Sequence, residues 1–156
     1  MALLPKLQHL EALLIPPFEV TEGVVMTAAE VLDIFREHLP RNTFQYELLD
    51  VSFFIPGYED IAKIIKWDTV NQVPYIPERR DCDNYGMHMA TMASIKFGVN
   101  PFFPVWDFPA QHFYNLIISA EGQLYVYEPQ TDGVWLFSEF KPDQIHKLNS
   151  GKIYGF

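Results

Sequence analysis

The segment ERRDCDNYGMHMA, residues 78–90, contains the single cysteine of the chain, Cys82, between Asp81 and Asp83. Apolar residues recur at helical spacing directly after it, which places Cys82 in the first turn of a predicted helix. The unpaired N–H groups and the positive dipole end of a helix favour a thiolate there. The two acids oppose this by charge repulsion unless one caps the helix or both bind a cation. The pattern therefore indicates a reactive thiol, with a buried structural cysteine as the alternative.

A reactive thiol needs a histidine beside it and a third group that orients the histidine. His112 opens a predicted strand directly after an irregular loop, so its side chain can project from the rim of a sheet. Glu128 ends the next predicted strand, and a hairpin between the two strands brings His112 and Glu128 to the same open end. The other histidines lie in predicted N-terminal helices, on another side of the cysteine helix or in a polar C-terminal segment: His9, His38, His88 and His146.

The predicted secondary structure that must position Cys82, His112 and Glu128 changes from mainly helical to strands along the chain. Helices are predicted over 27–39, 58–67 and 81–97, and strands over 44–55, 113–120, 123–130 and 134–140. Thr27 and Glu30 form a capping-box pattern at the first helix, and Gly98 closes the third. Helices followed by a meander of strands predict an α+β fold with helices packed on a mainly antiparallel sheet.

Length and composition limit the domain organisation and the classes of function that are possible for this chain. The 156 residues fit a single domain, 1–156, with an N-terminal arm at 1–20 and the site-bearing core at 56–156. The net charge of −9 disfavours a nucleic-acid surface, since the only basic cluster is the pair Arg79–Arg80. No apolar run is long enough for a membrane span, and no basic segment indicates a signal peptide, so we expect a cytoplasmic or virion-associated protein. No local Cys/His spacing suits zinc.

Three short motifs, DCDNY, HFYNLII and YVYEPQTD, carry a family resemblance. They resemble the papain-like cysteine protease domain at the C-terminus of the fairy-ring mushroom agglutinin, over roughly residues 75–132. The resemblance implies a papain-like fold with Cys82 as nucleophile, His112 as base and Glu128 as orienting acid. It also implies Gln130 as the donor of an oxyanion hole.

The resemblance also implies a cation, because the agglutinin domain depends on calcium. Asp81 and Asp83 are then candidate calcium ligands, since calcium accepts carboxylate oxygens in irregular geometry. No other cofactor is expected. The simpler alternative is that Asp81 caps the helix and Asp83 is a solvated acid of its first turn.

The expected function is a thiol hydrolase that cleaves a peptide or amide bond of a peptide or protein substrate through a Cys-His-Glu triad. One alternative is a catalytically silent papain-like binding or structural module, associated with a virion or a toxin. Another is an amidase that acts on cell-wall peptides. Substrate identity, oligomeric state and the role of residues 1–55 are open at this level.

Overall fold

The computed structural model describes residues 15–156, so most of the predicted N-terminal arm lies outside the described residues. The elements in chain order are β1 (Val24–Thr27), α1 (Ala28–His38), β2 (Phe44–Leu48), β3 (Ser52–Ile55), α2 (Tyr58–Trp67), a short 3-10 helix (Val70–Gln72), α3 (Cys82–Phe97), β4 (Phe102–Asp107), β5 (His112–Ile118), β6 (Leu124–Glu128), β7 (Gly133–Leu136) and β8 (Gly151–Gly155). None of the helices among the described residues is long and apolar enough to cross a bilayer.

Six strands form the main sheet in the order β2-β8-β4-β5-β6-β7. The β2–β8 pair is parallel and the other neighbours are antiparallel. Strands β1 and β3 form a separate antiparallel pair. Gly122 and Asp132 have positive φ values of 75° and 56° in the two turns that join β5, β6 and β7. The predicted combination of helices with a mainly antiparallel sheet is confirmed.

The predicted helices begin and end where their sequence signals lie. At the start of α1 the Thr27 N–H donates to Glu30 Oε2 at 2.7 Å, and the Glu30 N–H donates to Thr27 Oγ1 at 3.3 Å. This reciprocal pair satisfies two N–H groups that the first turn leaves without partners. Helix α3 ends at Gly98, whose φ of 66° is the left-handed conformation that glycine adopts without strain.

The single strand predicted over 44–55 is two strands. Strand β2 joins the main sheet beside β8, whereas β3 leaves that sheet and pairs with β1. Leu49 and Val51, at the break, are 70% and 85% exposed despite their apolar character. The sequence hides this break, because the polar residues of the segment are spread along it and are not confined to the break: Gln45, Glu47, Asp50 and Ser52.

Helices cover both faces of the main sheet. Phe35 of α1 packs with Phe103 and Leu116 on one face. Met89 of α3 packs with Ile117 on the other face, together with the buried isoleucines of α2. Consecutive residues of β5 therefore point into two different apolar clusters, as the alternation of side chains along a strand requires.

Candidate functional site

The site begins at the first turn of α3. Asp81 is the N-cap, and its N–H donates to Asn84 Oδ1 at 3.1 Å. The Asn84 N–H donates to Asp83 Oδ1 at 2.8 Å. Cys82 is the first residue of the helix and is partly exposed. The cysteine thus lies where the unpaired N–H groups of a helix favour negative charge.

A close contact between α3 and β5 brings the start of the helix to the sheet. Asn115 Nδ2 donates to the Gly86 carbonyl at 3.1 Å. A Cβ atom at Gly86 would lie only 2.7 Å from the Phe113 ring, so a larger residue does not fit without movement. Gly86 therefore allows the backbone approach that holds Cys82 beside the first residue of β5.

That first residue is His112, which pairs with Glu128 at the end of β6. The β5–β6 register pairs Asn115 with Tyr127, which places His112 and Glu128 at the same end of the hairpin. His112 Nε2 lies 2.6 Å from Glu128 Oε2. Burial alone would lower the pKa of His112, but its hydrogen bonds to Cys82 and Glu128 outweigh burial and raise this pKa to about 9.

Glu128 accepts hydrogen bonds from three directions. Burial raises its pKa, but hydrogen bonds from His112, His146 and the Gln130 N–H outweigh burial and lower it to about 2. The Gln130 N–H donates to Glu128 Oε1 at 3.0 Å. Gln130 therefore supports the acid through its backbone, and a role for its side chain at an oxyanion stays a prediction.

His146 is the residue that sequence reasoning missed. Its side chain is 2% exposed, and its Nε2 lies 3.2 Å from Glu128 Oε2. Its Nδ1 lies 3.1 Å and 3.2 Å from the two carboxylate oxygens of Asp143. Both ring nitrogens of His146 therefore face carboxylate oxygens, one from each of two acids. We call His112, Glu128, His146 and Asp143 the histidine array.

Asp107 fixes the two segments that carry the array histidines. It is fully buried, and its Oδ2 accepts from the Tyr114 hydroxyl at 2.9 Å. The same oxygen accepts from the backbone N–H groups of Lys147 and Leu148 at 2.7 and 2.8 Å. Asp107 ends β4, one turn before β5, so this carboxylate ties that turn to the segment just after His146.

A cavity of about 220 Å³ lies on the other side of the first turn of α3. Its lining combines polar and apolar residues: Thr69, Val70, Val73, Arg80, Asn84, Tyr85 and His88. We call it the Arg80 cavity. The Tyr85 hydroxyl donates to the Val73 carbonyl, and His88 Nε2 lies 3.4 Å from Asp68 Oδ1. Sequence analysis noted Arg80 only as half of a basic pair, because the loop that closes the cavity cannot be placed from sequence.

The predicted calcium ligands face each other at the same helix start. The hydrogen bond to Asp81 raises the pKa of Asp83, and burial and the nearby charge add to this effect. Among residues 15–156, the group of three potential ligands that the structure brings together is His112, Glu128 and His146. Calcium at Asp81 and Asp83 stays a prediction.

Neither a family model nor a curated protein matches the sequence. Ten chains of solved structures match, two of which are as follows. The structure of PSL1a in complex with E64 has a TM-score of 0.63 and 17% identity, over 83% of this chain and 50% of that chain. The Polyporus squamosus lectin bound to the human-type influenza-binding epitope Neu5Acα2-6Galβ1-4GlcNAc has a TM-score of 0.57 and 18% identity, over 82% of this chain and 49% of that chain.

The chain spans about half the length of each of these two chains. At these identities the likeness shows the fold alone. The expected papain-like cysteine protease is wrong, because one of the two structures is named as a lectin and neither title names a protease. The assignments as hydrolase and thiol protease are wrong for the same reason, and a papain-like architecture is not confirmed.

The motifs behind that resemblance have structural roles in this fold. Asp81 caps α3, Phe113 packs on Gly86, and Glu128 accepts hydrogen bonds from two buried histidines. A fold with these contacts needs such residue types whether or not it catalyses a reaction. The residues are thus weaker evidence for proteolysis than their spacing suggests.

Proposed function

We propose that the chain is a carbohydrate-binding module, which corresponds to the non-catalytic alternative among the functions considered from sequence. The observation that carries this proposal is the fold shared with a lectin over more than four-fifths of the described chain. That lectin is bound to a sialylated trisaccharide. The likeness spans only about half of the lectin chain. That the matching half of the lectin takes part in sugar binding is therefore also proposed.

The Arg80 cavity is the proposed sugar site. Arg80, Asn84 and His88 offer planar donors and acceptors of the kind that hydrogen-bond sugar hydroxyls. Val70 and Val73 provide apolar surface for the C–H face of a sugar ring. At about 220 Å³ the cavity is smaller than the ~300–1,000 Å³ typical of ligand pockets, so it suits one sugar ring with the rest of the glycan outside.

The charge near the cavity favours a neutral sugar over an acidic one. Asp81 and Asp83 flank the lining residues Arg80 and Asn84 in the sequence. After the larger effect of burial, the charges of Cys82, Asp81, Glu78 and Asp83 also raise the pKa of the neighbouring Tyr75. The chain as a whole has a net charge of −9. A carboxylate on the ligand would be repelled by these acids, and Arg80 alone would offset only part of the repulsion. We therefore propose a neutral glycan such as Galβ1-4GlcNAc as the ligand class.

Calorimetric titration with Galβ1-4GlcNAc and with Neu5Acα2-6Galβ1-4GlcNAc tests this proposal. We expect the neutral disaccharide to bind at least as tightly as the sialylated trisaccharide. Arg80→Ala should weaken binding by about tenfold, the loss of roughly one charge-assisted hydrogen bond. Arg79→Ala is the matched control, because Arg79 is exposed, adjacent in sequence and outside the cavity lining.

Two results would overturn the proposal. One is the absence of binding to either glycan at millimolar concentration. The other is turnover: release of product from a peptide library by the wild type, with loss of that release in Cys82→Ala, would mean that the chain is an enzyme. Weakened binding in Arg41→Ala, with no effect of Arg80→Ala, would move the sugar site to a second cavity of about 590 Å³ that Arg41 lines.

A further inference from the structure

The histidine array has the composition of a transition-metal site, which no local spacing in the sequence suggested. One nitrogen from each of His112 and His146 and one oxygen from Glu128 lie within 4.8 Å of one another. Both histidines direct Nε2 at the same carboxylate oxygen, at 2.6 and 3.2 Å. Two histidines and one glutamate are a recurrent zinc ligand set with an open fourth position.

The two nitrogen–oxygen distances are close to those that zinc requires, and the two histidine nitrogens lie within 4.8 Å of each other. Zinc lies about 2.0–2.1 Å from histidine nitrogen and about 2.0–2.2 Å from carboxylate oxygen, so neighbouring ligands in a tetrahedron are roughly 3.4 Å apart. The 3.2 Å between His146 Nε2 and Glu128 Oε2 already meets this spacing. The 2.6 Å between His112 Nε2 and the same oxygen must open by less than about 1 Å. His112 is at the rim of the sheet and, at 12% exposed, is the least enclosed of the three ligands, so the shift is assigned to its side chain.

The surroundings of His146 match those of a metal ligand. Histidines that bind metals commonly donate their other ring N–H to a carboxylate, which fixes the tautomer and the ring orientation. Asp143 accepts from His146 Nδ1 in this way. Three aromatic rings enclose the His146 imidazole with centroid distances of 4.7–5.9 Å, those of Tyr114, Trp135 and Phe140. Such an apolar shell limits the access of water to the ion.

We propose that His112, Glu128 and His146 bind a zinc-type divalent cation in place of the two hydrogen bonds that now join them. Each imidazole releases the hydrogen on Nε2 when the ion binds, and Glu128 neutralises one of the two charges of the ion. Asp143 holds His146 from outside the coordination sphere. Cys82 is not a ligand, and the site is independent of the Arg80 cavity.

Titration of the metal-free protein with Zn²⁺ by calorimetry tests the number of sites, and Co²⁺ absorption tests the ligands. We expect one ion per chain in the micromolar range, with the visible bands of tetrahedral cobalt and no thiolate charge-transfer band. Glu128→Gln and His146→Gln should each weaken Zn²⁺ binding by more than tenfold. Cys82→Ala should leave the affinity and the cobalt spectrum unchanged.

Asp143→Asn provides a test that does not depend on altering a buried residue, because the Asp143 side chain is 53% exposed. We expect about tenfold weaker Zn²⁺ binding, the usual effect of losing an outer partner of a ligating histidine. His38→Gln is the matched control, since His38 hydrogen-bonds the Ile34 carbonyl and lies outside both the array and the Arg80 cavity. The proposal is overturned if Zn²⁺ does not bind at 200 μM, if Asp143→Asn binds as the wild type does, or if His38→Gln or Cys82→Ala removes the site.

Discussion

The two sides of the first turn of α3 differ in how their polar groups are satisfied. On one side, Glu128 and His146 of the histidine array are buried, and the hydrogen bonds of the array run from the exposed Asp143 through His146 and Glu128 to His112. On the other side, the Arg80 cavity is open and its polar lining is half exposed. Buried polar groups that are fully paired hold a structure in one geometry, whereas open groups exchange water for a ligand at little cost.

This difference separates the array, which supports the fold and is proposed to bind a metal ion, from the cavity, which is proposed to bind a sugar. Changes in the array should mainly alter stability, because each member leaves a buried partner unsatisfied when it is removed. Changes in the cavity should mainly alter affinity, because its side chains already contact water. The histidine array and the Arg80 cavity are connected only through the first turn of α3.

Removal of Glu128 should have the largest effect on stability. Glu128→Ala leaves His112 and His146 without their common acceptor, so we expect a loss of about 3–5 kcal/mol in the free energy of unfolding. Urea denaturation followed by tryptophan fluorescence measures this loss. Glu139→Ala, at an exposed glutamate, is the control and should change stability by less than about 0.5 kcal/mol. Equal stabilities of the two variants would mean that the array does not support the fold.

Stability should also fall at alkaline pH because of His112. Its folded-state pKa of about 9 lies above the ordinary histidine value of 6.5, so the folded state retains a proton that the unfolded chain releases. This contribution is fully present below pH 6.5 and is lost as pH rises through about 9. At about 1.4 kcal/mol for each pKa unit, the loss is roughly 3 kcal/mol.

Urea denaturation at intervals from pH 6 to pH 10 measures this dependence. We expect His112→Gln to flatten the profile. A wild-type profile as flat as that of His112→Gln would contradict the pairing of His112 with Glu128 and Cys82.

A smaller effect is expected where α3 meets β5. Replacing glycine by alanine inside a helix normally stabilises the helix. In Gly86→Ala, however, the new Cβ would lie 2.7 Å from the Phe113 ring. We expect a net loss of about 1–3 kcal/mol, as is usual when a packed contact is overfilled. Thr91→Ala, at an exposed position of the same helix, is the control and should not destabilise. A Gly86→Ala protein as stable as the wild type would show that the close approach is not required.

Features that depend on residues close together in the chain could be predicted from the sequence. The helix starts follow from Thr27 and Asp81, and the proximity of His112 and Glu128 follows from a hairpin with a short turn. The partners of Asp107 lie 40 and 41 residues away, and His146 reaches Glu128 across 18 residues through a coil segment. Neither hydrophobic periodicity nor a helix cap predicts contacts between residues so far apart in sequence. The histidine array and the Arg80 cavity could therefore be identified only from the three-dimensional structure.

The smallest expected effect concerns calcium at the shared first turn. Asp81 and Asp83 face each other, and a bound cation would relieve their repulsion. We predict that millimolar calcium raises the melting temperature by a few degrees relative to EDTA, and that Asp83→Ala abolishes the rise. Melting that is the same in calcium and in EDTA would leave helix capping as the role of Asp81.

The most direct test of the carbohydrate proposal is to locate the sugar by NMR. Titration of ¹⁵N-labelled protein with Galβ1-4GlcNAc should give saturable amide shifts that cluster at Thr69–Val73 and Arg80–His88. The array amides at Glu128 and His146 should move little, and the disaccharide should remain intact. Saturable shifts centred away from the Arg80 cavity, or no shifts at millimolar disaccharide, would contradict the account.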